Sequence, residues 1–111
     1  MLNITGLNRF FFIRDFHDMR CKYDKVLSII HQQLNREPED GDVFIVMSKD
    51  LRLVRLFSYD RRSYSMFEKR FRPGYKFMHV SYDGDESIYS IHWQDVILLL
   101  EFPVAKKLKI R

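Results

Sequence analysis

The sequence predicts a single α+β domain: an antiparallel β-meander, one long helix in the N-terminal half packed on it, and a short C-terminal helix. Three observations predict it. Met19, Tyr23, Val26, Leu27, Ile30 and Leu34 recur at steps of three and four, the stripe of an amphipathic helix. After that stripe come β-prone runs separated by short polar turns, the pattern of strands that pair with their sequence neighbours. Near the end, Trp93, Val96, Ile97 and Leu100 return to helical spacing before Pro103.

Taken in order, residues 1–8 are weakly patterned and read as a flexible lead-in. Arg9 to Arg14 is a phenylalanine-rich run bracketed by arginines and reads as the first strand. Asp15 is a candidate N-cap, and Asp18 lies where a carboxylate complements the helix dipole. Arg20, Lys22, Asp24, Lys25, Ser28, His31 and Gln32 alternate with the stripe and suit a solvated face. Asn35 and Pro38 close a helix of about 18 residues. Glu37 to Asp42 is a turn by composition. Val43 to Met47, almost wholly apolar, suits a strand covered on both faces. Ser48-Lys49-Asp50 connects it to a strand over 52–59, and Asp60 to Ser63 turn into a strand over 64–71. Arg72-Pro73-Gly74 ends that strand. Tyr75 to Tyr82 reads as a fourth meander strand, and Ile88 to Ile91 as a shorter one after the Asp83-Gly84-Asp85 turn. Trp93 anchors the last helix at the core or its rim. The basic tail within 103–111 is expected to fray.

Composition narrows the function classes. The 111 residues suit one domain large enough to bury a core without staples. Ten Phe and six Tyr favour sheet over a helical bundle. The lone Cys21 excludes an internal disulfide and a cysteine-rich zinc site. His17, His31, His79 and His92 are scattered without ligand spacing, so neither metal nor cofactor is expected. No secretory leader is evident, and the aliphatic run Val96 to Leu100 is too short to span a bilayer. A cytoplasmic protein without a membrane partner is the expectation.

No catalytic centre is legible. With four glycines there is no phosphate-binding loop, and no serine elbow exists. Nothing marks a small-molecule substrate. The aspartates fall mostly in turns and helix starts, where they cap. A metal-dependent nuclease would need carboxylates to converge, for example Asp18 with Asp60. The net charge of +4 permits a polyanion partner. Arg52, Arg55, Arg61, Arg62, Lys69, Arg70, Arg72 and Lys76 fall in one hairpin region, with the Arg61-Arg62 turn at one end and Arg72 and Lys76 at the other. Such a face neutralises phosphates, and Tyr59 and Tyr64 are placed to stack on bases. The plainer alternative is a charged face that keeps an aromatic sheet in solution.

The ordered motifs resemble a known family. An aromatic strand (Phe10 to Ile13) precedes Asp18-Met19-Arg20 and Lys22-Tyr23-Asp24. Pro38 and Gly41 precede an apolar strand. Val54-Arg55-Leu56-Phe57 leads to Tyr59-Asp60-Arg61, then Lys69-Arg70 and Gly74. Trp93 opens a leucine-rich helix. This set, over about Arg9 to Phe102, resembles the small accessory proteins encoded by the second reading frame of bacterial insertion sequences of the sixty-six family, often labelled TnpB. Asp15, Cys21, Arg62-Ser63 and Phe102 depart from the pattern and suggest a divergent branch.

The resemblance implies a role in DNA transposition beside a separate transposase that carries the acidic catalytic triad. The expectation is therefore a non-catalytic bacterial accessory protein that binds DNA through Arg55, Arg61, Arg62, Lys69, Arg70 and Arg72. Asp18, Met19, Arg20, Asp60, Gly74 and Trp93 are expected to hold the fold. The alternative is an interaction module that recruits or stabilises the transposase without touching DNA. An exposed apolar patch at Trp93, Ile97 and Leu100 would favour it.

Overall fold

Five strands form one sheet, covered on both faces over its central strands and exposed at β4. The computed structural model describes residues 8–14, 16, 23–60, 62–82, 84–101 and 108–110. The elements are β1 (Arg9–Ile13), α1 (Tyr23–Leu34), β2 (Asp42–Met47), β3 (Leu53–Tyr59), β4 (Tyr64–Arg70), β5 (Val80–Tyr82), β6 (Ile88–Ile91), α2 (Trp93–Glu101) and β7 (Leu108–Ile110). The sheet runs β4-β3-β2-β1-β6, and β5 pairs separately with β7. The Cα radius of gyration is 13.2 Å, as one domain of this length requires.

β2, β3 and β4 form the expected antiparallel meander. β1 differs: it pairs with β2 in parallel, because the intervening helix returns the chain to the same end of the sheet. β6 then adds antiparallel to β1. The sheet is therefore mixed.

Alternation along each strand sorts the core into two clusters. Phe44, Val46, Phe57 and Tyr59 face α1, which inserts Val26 and Ile30. Phe10, Phe12, Val43, Ile45, Val54 and Leu56 face the other way, toward Val96, Leu99 and Leu100 of α2 and toward Phe77 and Val80. Covered on both faces, β2 is buried from Asp42 to Met47. This is the physical reason its sequence is continuously apolar after Asp42.

α1 ends as the sequence predicts: Asn35 adopts φ 55° and its N–H reaches the His31 carbonyl at 3.1 Å. Its expected start is not covered: the Asp15 cap, Asp18, Met19, Arg20 and Cys21 lie outside the described residues. The strand expected over 75–82 is reduced to β5. Residues 71–79 instead fold across the α2 side, where Phe77 is fully buried and its N–H donates to the Leu51 carbonyl at 2.6 Å. Residues 108–110, expected in a frayed tail, form β7 against β5. Among the described residues, no helix is long and apolar enough to cross a membrane.

Candidate nucleic-acid interface

The cationic residues of the hairpin do not share one surface. Pairing of Leu53 with Arg70 and of Tyr59 with Tyr64 sets the two ends of the β3–β4 ladder apart. Seven residues of strand separate those ends by about 20 Å.

One end collects the β2–β3 turn and the chain after β4. The Phe71 N–H donates to the Arg52 carbonyl at 2.8 Å, and the Arg52 guanidinium returns a bond to the Phe71 carbonyl at 3.4 Å. The Phe77 N–H on the Leu51 carbonyl holds the far side of the loop. Lys49, Arg52, Arg70, Arg72 and Lys76 are thereby gathered, and all but the half-buried Arg52 are exposed. Asp50 is the one carboxylate within residues 48–52 and 70–76. It accepts from Ser48 Oγ at 2.6 Å and from the Arg52 N–H at 3.1 Å.

Between Arg72 and Lys76 the chain makes a Pro73-Gly74 turn closed by the Tyr75 N–H on the Arg72 carbonyl at 3.1 Å. Gly74 sits at φ 97°, where a side chain would be strained. Tyr75 follows it and is 57 % exposed. The result is a cationic rim with an exposed aromatic ring at its tip.

The other end is of mixed charge. Asp60 closes the β3–β4 turn, accepting from the Arg62 N–H, the Ser63 N–H and Ser63 Oγ, each at 2.9 Å. A cleft of about 300 Å³ beside it is lined by Glu37 and Asp60 as well as Arg62. Arg61 lies outside the described residues.

Two predicted DNA contacts are engaged within the fold. Arg55 Nε donates to Glu68 Oε1 at 2.7 Å. Lys69 Nζ donates to the Leu100 carbonyl at the end of α2 and lies 5.2 Å from the Phe71 ring centre. Of the proposed stacking rings, Tyr59 is buried edge-on to Phe44, with centroids 5.6 Å apart, whereas Tyr64 is half exposed. Lys49 and Tyr75 are not among the contacts the sequence predicts. The signal for Tyr75 was its position directly after Pro73-Gly74; Lys49 needed the β3–β4 pairing to bring its turn beside Arg72. Trp93 opens α2 and packs half-buried against the core rim. α2 turns Val96, Leu99 and Leu100 inward, leaving Leu98 as its exposed large apolar residue. Among the described residues, no three His, Cys, Asp or Glu side chains cluster as a metal site.

Hydrogen bonds hold both turn aspartates below the ordinary carboxylate value. For Asp60 the leading cause is the Arg62 N–H, followed by Ser63. For Asp50 it is the Ser48 hydroxyl, followed by the Arg52 N–H. A depressed folded value means that each bond stabilises the fold above the unfolded aspartate value and is lost as pH falls through the lower one. Carboxyl NMR titration is therefore expected to place both midpoints below 3.8. Midpoints at or above that value would mean the turns are open in solution.

A protein-family model described as "IS66 Orf2 like protein" matches residues 8–108. No match was found among curated proteins or among solved structures.

Proposed function

Because the chain belongs to the IS66 Orf2-like family, and is thus an accessory protein associated with transposition, we propose that it acts without catalysis by holding DNA. In this reading the rim of Lys49, Arg52, Arg70, Arg72 and Lys76 grips phosphates in the cytoplasm, and Tyr75 packs on an exposed sugar or base. Strand cleavage is left to the element's separate transposase. The observation that carries the reading is the gathering of five cations, against one carboxylate, on two chain segments tied together by backbone bonds.

Docking to the transposase alone is the second reading. The patch expected for it at Trp93, Ile97 and Leu100 is diminished by the burial of Leu100 and the half-burial of Trp93 and Ile97, so DNA contact is preferred.

The test is anisotropy of labelled duplex DNA, using element-end and scrambled sequences, titrated in salt. Phosphate contacts by five cations correspond to a log–log salt slope of about −4.5, a loss of about 500-fold between roughly 50 and 200 mM. Tighter binding to the element ends would add base or shape readout. Absence of binding at low salt would overturn the reading.

A further inference from the structure

Among the described residues β4 is an open edge of the sheet, and it lacks most of the features that usually protect an edge. It is seven residues long, pairs with β3 from Tyr64 to Arg70 without a bulge, and contains no proline. Two of its three charges are bonded within the fold, Glu68 to Arg55 and Lys69 to the Leu100 carbonyl, which leaves Arg70, exposed at the end of the strand. The opposite edge, β6, is four residues long and mostly buried. Tyr64, Met66 and Phe67 are 50 %, 48 % and 38 % exposed, and they place apolar surface on both faces of the edge.

The backbone also faces outward in a regular way. Bonds from the Asp60 N–H to the Ser63 carbonyl and from the Phe71 N–H to the Arg52 carbonyl fix the phase of the β3–β4 ladder. By alternation, Ser65, Phe67 and Lys69 bond to β3, while Tyr64, Met66, Glu68 and Arg70 turn their N–H and C=O groups to the open side.

We propose that this edge pairs with the β4 edge of a second copy, antiparallel, with Phe67 on the two-fold axis. The two sheets then become one continuous sheet. Opposed residues must point to the same face, so only registers centred on a residue keep each face continuous. Centring on Glu68 or Lys69 puts like charges directly opposite each other. Centring on Met66 leaves Lys69 and Arg70 beyond the start of the second copy's strand, unpaired. Centring on Phe67 uses the whole strand: Arg70 faces Tyr64, Lys69 faces Ser65, Glu68 faces Met66, and Phe67 meets itself in a close, non-hydrogen-bonded pair. The outward groups then fall opposite one another and exchange bonds. Beyond the paired strands, Arg72 comes opposite the second copy's Arg62. The dimer thus sets the cationic rim of each copy beside the mixed-charge turn of the other, and salt, by screening Arg72 from Arg62, favours its formation. The pairing itself does not depend on DNA binding.

Sedimentation across a concentration series tests it. The chain of 13.6 kDa is expected to sediment at twice that mass, with the dimer favoured by added salt. Met66→Pro removes an outward N–H and leaves the β3 ladder intact, so a folded monomer is expected, with folding checked by circular dichroism. Phe67→Lys and Phe67→Glu supply a second route that spares the backbone. Each alone is expected to be monomeric, and an equal mixture to regain the dimer, because only a Phe67-centred axis opposes the two new charges. A wild-type monomer at every concentration, or a dimer indifferent to all three substitutions, overturns the proposal. Failure of the mixture to pair overturns the register. A monomer whose edge takes up a strand of another protein would assign the edge to that partner instead.

Discussion

Replacing Lys49, Arg70, Arg72 and Lys76 together with glutamine is expected to weaken DNA binding by about 100-fold at low salt and to flatten the salt slope by about 3–4. All four side chains are exposed, so the fold should tolerate the change, and an unaltered melting temperature would confirm that it does. Arg52 is left in place because its guanidinium also bonds the Phe71 carbonyl. Arg62→Gln is the matched comparison. That residue shares its end of the sheet with Glu37 and Asp60, and its loss is expected to change affinity by less than about threefold, as for a single screened charge. If the Arg62 change proved as damaging as the fourfold change, the contact surface would lie at the turn end and the rim would be a solubilising feature.

Asp42→Ala is expected to destabilise the protein by about 2–4 kcal/mol, lowering the melting temperature by roughly 10 °C or more. Asp42 is a fully buried carboxylate. Its Oδ1 accepts from Arg9 Nε at 2.7 Å, and its Oδ2 accepts from Arg36 Nη1 and from the Glu39 N–H, each at 2.9 Å. The same bond to Asp42 is the leading cause that raises the Arg9 guanidinium above its ordinary value.

These three donors come from the start of β1, the chain after α1 and the turn before β2. One carboxylate therefore pins both ends of the strand–helix–strand passage. Removing it leaves two guanidiniums that are partly exposed and can rehydrate, which keeps the cost below that of stranding a buried charge. Because Asp42 is shielded from solvent, the loss should be nearly equal at low and high salt. Denaturant unfolding of the wild type and variant at two ionic strengths measures both points. A loss under about 1 kcal/mol would mean that backbone pairing alone holds the passage.

What was legible in the sequence is what local periodicity and turn chemistry encode. The Val26 and Ile30 stripe, the apolar β2, the Asp60 turn, the Pro73-Gly74 turn and the Trp93 helix each follow from residues close together in the chain. Their side chains or backbones have a local physical requirement there. The family followed from the same ordered motifs.

The tertiary structure alone decided three things. It set β1 parallel to β2, because a helical connection carries the chain back to the end from which it started. It divided the cationic hairpin, because a paired strand of seven residues holds its ends about 20 Å apart and gives Arg55 and Lys69 partners inside the fold. And it brought the turn that holds Lys49 beside the chain after β4, and left β4 an open edge among the described residues. Strand order depends on which long-range pairings bury the most surface, and no short window of residues carries that information.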